Sequence, residues 1–210
     1  MKKGEQKNIL FDLGGVILDL DKQKCFDSFR NLGVDLNGQG LGFYGQSGLL
    51  GELELGRVEE SMFYDRFRKE YKTDADDDSI KHAWNSFLIG IPEERLEFLK
   101  TLKQKYNLYL LSNTSKIHYD YWYPMFRYDD DKIGAQYFFK GIFCSYMSQM
   151  AKPDTRAFEY VITKTGIKPE ETLFFDDSEA NIKAASEMGF KTIFIPEGEK
   201  LELIYIDKLL

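Results

Sequence analysis

The sequence predicts an α/β protein, built on a doubly wound parallel sheet, with a small α-helical domain inserted after the first strand. Short, continuous apolar runs recur along the chain, as is typical of strands that are buried on both faces. From Pro92 onward these runs alternate with amphipathic helices, which is the pattern of βαβ units. Between the first run and Pro92, roughly seventy residues intervene, too many for a simple crossover, and they predict the inserted domain.

Five apolar segments are predicted to be strands of the sheet, with helices between them. A helix over residues 92–106 buries a leucine-rich face. A second helix begins at the N-cap Asp154 and ends at Gly166, and a third begins at Ser178 and ends at Gly189. The predicted strands cover residues 8–13, 107–112, 141–145, 172–175 and 191–195.

The predicted insert covers residues 21–89, and residues 1–20 and 90–210 form the predicted core domain. The glycine-rich residues 37–48 are expected to be the loose part of the insert. Residues 117–140, in the core domain, are expected to be irregular. Two helices of the insert are predicted, one over residues 79–88 and one whose buried face carries Val58, Met62, Phe67 and Tyr71.

Composition excludes several classes of protein. The chain has 210 residues and a formal net charge of −7, which argues against a nucleic-acid partner or an acidic membrane surface. Cys25 and Cys144 belong to no metal-binding pattern and are expected to be buried thiols. No signal-peptide pattern is found, and no apolar segment reaches the ~20 residues that span a membrane. We therefore expect a cytoplasmic protein with no membrane partner, and a monomer.

Polar side chains follow the carboxyl ends of four predicted strands, which is where ligands bind in open α/β sheets. Three carboxylates side by side repel one another, and one lysine among them is not enough to offset that repulsion. A set of oxygen donors with room for water is what Mg²⁺ prefers, so a magnesium site is predicted, with a lysine and a serine available for phosphoryl oxygens. The residues are Asp12, Ser112, Asn113, Lys152, Asp176 and Asp177.

Four short motifs carry these residues in order: FDLGGV at 11–16, LLSNT at 110–114, KPD at 152–154 and FFDDSEAN at 174–181. Together they resemble the four ordered motifs of the haloacid dehalogenase superfamily of phosphohydrolases, over nearly the whole chain. Within the superfamily, the nearest likeness is to bacterial sugar-phosphate phosphatases related to α-glucose-1-phosphate phosphatase. The predicted insert lies where this superfamily carries its type-1 helical cap.

The resemblance implies catalytic and phosphate-binding roles for individual residues. Asp12 would be the nucleophile, forming an aspartyl-phosphate that water then hydrolyses. Ser112, with Asn113 beside it, would bind phosphoryl oxygens. Lys152 would neutralise charge on Asp12 and on the phosphate. Asn181 stands where some relatives carry a further acid.

The resemblance also implies the metal ligands. Mg²⁺ would be held by Asp12 and Asp177, with Asp176 as a second ligand or as a partner of Lys152 or of metal-bound water. Gly14 can offer only its backbone carbonyl to the metal. Gly14 and its glycine neighbour lack side chains, so the backbone can approach an anion or a metal closely.

The sequence departs from the superfamily at Gly14, where active phosphatases usually carry a second aspartate that protonates the leaving oxygen. General acid catalysis contributes ~10²–10⁴-fold, so its loss is severe for an alkoxide leaving group. Three explanations stay open. The first is that the substrate has a better leaving group. The second is that a residue of the insert, such as Glu52, Glu54 or His82, supplies the proton. The third is that the protein is not a phosphatase.

The expected function is a Mg²⁺-dependent phosphomonoesterase acting on a small-molecule phosphate ester, in particular a sugar phosphate. A haloacid dehalogenase-type hydrolase that uses Asp12 without metal is the first alternative, although the retained pair Asp176 and Asp177 argues against it. A non-enzymatic phosphate-binding protein is the second. His118 lies just beyond the second motif and is a candidate site residue, but a packing role is the favoured expectation.

Overall fold

The computed structural model describes residues 6–36, 48–129 and 132–201. The strands in these ranges are β1 (Asn8–Phe11), β2 (Asp19–Leu20), β3 (Leu88–Gly90), β4 (Asn107–Ser112), β5 (Arg127–Tyr128), β6 (Lys132–Ile133), β7 (Gly141–Cys144), β8 (Thr172–Asp176) and β9 (Lys191–Phe194). The α-helices are α1 (Lys22–Asn31), α2 (Gly48–Glu54), α3 (Glu60–Tyr71), α4 (Asp77–Asn85), α5 (Glu93–Lys103), α6 (Lys116–Trp122), α7 (Ser145–Ser148), α8 (Thr155–Thr165) and α9 (Glu179–Glu187).

Five strands form one parallel sheet in the order β7-β4-β1-β8-β9. β1 lies at its centre, with Phe11 opposite Leu110 of β4 on one side and Phe175 of β8 on the other. All four residues of β1 and all five of β8 are buried, as their continuous apolar runs predicted. The five predicted strands are confirmed, and their ends differ from the prediction by at most two residues.

Helices cover both faces of this sheet, so the doubly wound arrangement is confirmed. On one face, Phe158 of α8 and Ala185 of α9 pack in a cluster with Leu10. On the other face, Leu99 of α5 packs in a cluster with Phe11. The neighbours Leu10 and Phe11 thus point to opposite layers, as successive residues of a strand must. The central strand is thereby shielded from water on both sides.

The predicted helix caps are confirmed in the core domain. The Asp154 side chain accepts a hydrogen bond from the N–H of Arg156, and Gly166 ends α8 with a φ of 71°. Ser178 caps α9, whose C-cap is Met188, one residue before the predicted end. These caps fix where the loops of the site begin.

Helices α1–α4 pack around an apolar cluster of their own, centred on Phe63, Phe67 and Trp84. The predicted face of α3 is wrong at Met62, which is 58% exposed. The buried face repeats every fourth residue through Phe63, Phe67 and Tyr71. The predicted helix over 79–88 corresponds to α4.

The junction between the insert and the sheet holds a feature that the sequence did not predict, the antiparallel pair of β2 and β3. Each of these strands has only two or three residues, too short for a periodic signal. They lie at the predicted domain boundaries, and the division at residues 20/21 and 89/90 stays a prediction. Of the glycine-rich stretch, residues 37–47 lie outside the described residues, and Gly48 opens α2.

Residues 117–140 were expected to be irregular, and this is wrong for the first part. Ser115 accepts a hydrogen bond from the N–H of His118 and so caps α6, whose residues Ile117 and Trp122 are buried. Cys25 and Cys144 are buried free thiols, as predicted. Within the described ranges, no helix is long and apolar enough to cross a membrane.

Candidate active site

The polar residues predicted at the strand ends meet at one edge of the sheet. Asp12 directly follows the central strand β1, and its backbone N–H donates to the carbonyl of Phe175 (2.8 Å). Ser112 is the last residue of β4 and Asp176 is the last residue of β8. Because β4 and β8 flank β1, these ends converge. Five of the six predicted residues, all except Asp176, line a cavity of about 90 Å³ between the sheet and the insert.

Lys152 is the cation of the site and forms two buried ion pairs. Its Nζ lies 2.8 Å from Oδ1 of Asp12 and 2.7 Å from Oδ2 of Asp176, and the residue is only 2% exposed. Burial alone would lower the pKa of the Lys152 ammonium, but the charges of Asp12 and Asp176 outweigh it and raise that pKa above its usual value. Lys152 therefore stays charged next to the predicted nucleophile.

Asp176 is fully buried, and every lone pair of its carboxylate has a donor. Oδ1 accepts from the N–H of Ser178 (2.8 Å) and from Nδ2 of Asn181 (2.9 Å). Oδ2 accepts from Lys152 and, at 3.1 Å, from the same Asn181 amide. Four acceptor positions are thus filled by protein donors. Among the predicted roles of Asp176, these contacts favour the partner of Lys152 over a direct metal ligand.

Asp12, Asp176 and Asp177 each place one carboxylate oxygen within 4.8 Å of the others. Burial, together with the neighbouring charges of Asp12 and Asp176, raises the pKa of Asp177 to about 8. Burial also raises the pKa of Asp12, to about 6, even though Lys152 opposes the shift. One lysine therefore does not offset three carboxylates, and a second cation is needed to ionise them together.

The donors at this position fit a hard divalent cation such as Mg²⁺. Asp12, Asp177 and the backbone at Gly14 line the same cavity and offer only oxygen. Oδ1 of Asn181, also in the cavity lining, is buried and has no hydrogen-bond partner among the described residues. A buried amide oxygen without a donor carries a desolvation penalty, which a hydrated cation would relieve.

The glycine after Gly14 makes room for the metal-site carboxylate. Gly15 has a φ of 74°, and a Cβ built on it would lie 2.2 Å from Oδ2 of Asp177. Gly14 has a different constraint, since a Cβ there would lie 3.0 Å from Cδ1 of Leu20 on β2. A side chain at position 14 would therefore contact the end of the Leu20 side chain, which would have to shift slightly.

The loop after β4 forms the predicted phosphate-binding side. Ser112 is buried at the cavity wall. Both side-chain atoms of Asn113 are engaged with the backbone of Lys152: Nδ2 donates to its carbonyl (2.8 Å), and Oδ1 accepts from its N–H (2.9 Å). The Asn113 side chain therefore positions the backbone of Lys152, and a phosphate contact by Asn113 stays a prediction.

The insert contributes one wall of the cavity, and it brings Glu54 there. Burial raises the pKa of the Glu54 carboxyl to about 8. The other two predicted proton donors lie elsewhere. Glu52 forms an ion pair with Arg66 (2.6 Å) near the surface, and His82 is exposed on α4.

His118 also lines the cavity, but its contacts are those of a packing residue. Its ring stacks on Trp84 (4.4 Å between centroids), and Nε2 lies 3.1 Å from the Trp84 carbonyl. Burial lowers the pKa of His118 to about 4, so its ring is neutral near pH 7. The apolar part of the wall was not predicted, because such residues give no signal that separates a cavity wall from a core; it is formed by Leu13, Leu18, Leu20, Phe87, Leu88 and Trp122.

Comparison with known families agrees with this arrangement of fold and site. Residues 6–189 match the model of the haloacid dehalogenase-like hydrolases. The chain therefore belongs to this family of hydrolases, and the resemblance inferred from the four motifs is confirmed.

Individual relatives are similar over nearly their full length. D-ribitol-5-phosphate phosphatase of Bacteroides thetaiotaomicron is 31% identical over 191 residues, which cover 91% of this chain and 92% of the relative. The structure of an HAD family enzyme from the same species, solved as the wild-type protein with magnesium and inorganic phosphate, is 35% identical with a TM-score of 0.85, covering 95% of this chain and 99% of that one. The structure of a predicted HAD-like family hydrolase from Porphyromonas gingivalis is 30% identical with a TM-score of 0.87, covering 98% and 97%.

Proposed function

We propose that the protein is a Mg²⁺-dependent phosphomonoesterase that acts on a small sugar or polyol phosphate through an aspartyl-phosphate. The observation that carries this proposal is the position of Asp12, at the end of the central strand, 2.8 Å from the buried ammonium of Lys152 and beside the acidic site at Asp177. A carboxylate nucleophile needs nearby positive charge when it attacks an anionic phosphoryl group. The similarity to D-ribitol-5-phosphate phosphatase and to an enzyme solved with magnesium and phosphate supports this function.

In the proposed reaction, an oxygen of Asp12 attacks phosphorus while the bond from phosphorus to the ester oxygen breaks. Lys152 remains charged and offsets negative charge on Asp12 and on the phosphoryl group. The Ser112 hydroxyl binds a phosphoryl oxygen. Water then hydrolyses the aspartyl-phosphate, which releases inorganic phosphate and restores the Asp12 carboxylate. Asp12, the Gly14 carbonyl and Asp177 would hold Mg²⁺, which would supply positive charge next to the phosphoryl oxygens when bound.

A metal-independent dehalogenase would give no role to the acidic group of Asp12, Asp176 and Asp177. Asp177 is costly to ionise where it lies, because burial and two neighbouring carboxylates raise its pKa to about 8. That cost is explained if a cation binds there. The same observation favours the phosphatase over the dehalogenase.

A substrate panel tests the proposal directly. With Mg²⁺, we expect release of inorganic phosphate from ribitol 5-phosphate or from other small sugar phosphates, and EDTA should stop it. Release of chloride from 2-chloropropionate in EDTA, without phosphatase activity, would establish the dehalogenase instead. Tight binding of phosphate and Mg²⁺ with no turnover of any substrate would establish the non-enzymatic alternative.

Replacing Gly15 by alanine tests the metal site through the backbone. The added methyl group would displace the Asp177 carboxylate, so we expect phosphatase activity to fall by about 10²-fold, a loss of the size that a shift of about 1 Å in a reacting group causes. The half-saturating Mg²⁺ concentration should also rise. Gly33→Ala is the matched control, since Gly33 has a φ of 75° but no atom within 4 Å of its added Cβ.

Both glycine variants share the cost of a left-handed alanine, about 1 kcal/mol of unfolding free energy. Thermal unfolding measures that shared cost in stability. Of the two variants, only Gly15→Ala should lose phosphatase activity. Equal activity in the two variants would contradict the placement of the metal at Asp177.

A further inference from the structure

We propose that Glu54, at the end of α2, is the general acid that protonates the leaving-group oxygen. This inference rests on the proposed phosphomonoesterase function and names the group that replaces the second aspartate missing at Gly14. Glu54 reaches the site from the helical insert and lines the same cavity as Asp12.

Position 14 carries no side chain that could take this role. A Cβ there would lie 3.0 Å from Cδ1, at the end of the Leu20 side chain. Leu20 belongs to β2, whose backbone pairs with β3. A side chain that donates the proton therefore belongs to another wall of the cavity.

The other titratable groups of the cavity lining are committed to other roles. Lys152 is held in two ion pairs, and Asp12 and Asp177 face the metal position. His118 is neutral and occupied with the Trp84 carbonyl. Within the described ranges, the Glu54 carboxyl has no hydrogen-bond or ion-pair partner. Its raised pKa, about 8 because of burial, keeps it protonated at neutral pH.

The core domain holds Glu54 in place through its backbone. The Ser145 hydroxyl lies 2.7 Å from the Glu54 carbonyl, to which it donates, and it accepts from the N–H of Thr114 (2.9 Å), in the loop that follows Ser112. Two residues after Glu54, Gly56 lies so close to the core that an added Cβ would be 2.2 Å from the Tyr146 carbonyl. The end of α2 is thus seated on the same loops that form the phosphate-binding side.

The proposed proton transfers balance over the two half-reactions. As the phosphorus–ester oxygen bond breaks, the Glu54 proton moves to that oxygen, and an alcohol leaves. Glu54, now a carboxylate, regains a proton from solvent, and the water that attacks the aspartyl-phosphate leaves one proton on the released phosphate and gives the other to solvent. The bond between phosphorus and Asp12 breaks, phosphate leaves, and both side chains return to their starting states.

Substrates with different leaving groups test this role in one variant. Glu54→Gln keeps the size and polarity of the side chain but cannot give up a proton. We expect kcat for ribitol 5-phosphate to fall by ~10²–10⁴-fold, the usual contribution of a general acid. Acetyl phosphate, whose leaving acetate needs no proton, should lose less than about 10-fold. Activity on acetyl phosphate also shows that the variant is folded.

Glu52→Gln is the matched control, because the same change falls two residues away on the same helix, at a residue paired with Arg66. It should leave both substrates unaffected. If Glu54→Gln lowers both substrates equally, or raises KM without lowering kcat, Glu54 binds substrate and the inference is overturned. If the unmodified protein hydrolyses neither substrate, the proposed function itself fails, which is a separate outcome.

Discussion

Replacing Asp12 by asparagine is expected to lower kcat by at least ~10⁴-fold, because the amide cannot form the covalent bond to phosphorus. The fold should not weaken. The folded protein raises the pKa of Asp12 from 3.8 to about 6, so the ionised carboxylate opposes folding above pH 6 when no metal is bound. The neutral amide removes that charge. The measurement is steady-state phosphate release at pH 7.5, with thermal unfolding in EDTA as the companion.

The control for this experiment is Asp27→Asn on α1, an exposed carboxylate whose partners among the described residues, Gln23 and Arg30, belong to its own helix. It undergoes the same chemical change and should keep full activity. Undiminished turnover in the Asp12→Asn variant would exclude Asp12 as the nucleophile. A loss of activity accompanied by a large drop in melting temperature would instead mean that Asp12 is structural.

Replacing Lys152 by methionine is expected to lower both stability and activity. Methionine has a similar length but no charge, so Asp12 and Asp176 would face each other without the ammonium that now lies 2.8 and 2.7 Å from them. Removing one partner of a buried ion pair costs about 3–5 kcal/mol of unfolding free energy. Denaturant unfolding in EDTA at pH 7.5 measures this loss.

Activity in the Lys152→Met variant should fall by at least ~10³-fold, since charge on the phosphoryl group loses its fixed counterion. Lys183→Met, an exposed lysine of α9, is the control for removing one positive charge and should change neither quantity. Part of the lost stability should return as the pH is lowered, because protonation of Asp12 relieves the repulsion; without Lys152, which lowers the pKa of Asp12, this protonation begins above pH 6. Stability that does not depend on pH would contradict the ion-pair interpretation.

The sheet and the predicted edge of the site followed from the sequence because their signals are local. The strand over residues 107–112 is a continuous apolar run between a helix and a polar loop, and the structure places it where predicted. Asp12, Ser112 and Lys152 converge because parallel strands bring their carboxyl ends to one edge. The order of the strands in the sheet is therefore enough to bring these three residues together.

Other parts of the site could not be predicted, since they depend on contacts between distant segments. Glu52 and Glu54 are equivalent in sequence, but two residues of a helix are separated by about 200° of rotation, so only one can face the cavity. The groups that donate hydrogen bonds to the Asp176 carboxylate belong to Lys152, Ser178 and Asn181. Only the folded protein brings these donors to that carboxylate. Nor does the sequence reveal that the end of the Leu20 side chain lies next to Gly14.

The bond from Ser145 to the Glu54 carbonyl has a consequence for selectivity. It forms only when α2 is seated on the core, around a cavity of about 90 Å³. If Glu54 is the acid, we expect a substrate too long for this cavity to bind through its phosphate but to hold α2 away from the core, so that Glu54 stands away from the leaving oxygen. Selection by size would then act on kcat rather than on KM, as in enzymes that assemble their catalytic groups by closing.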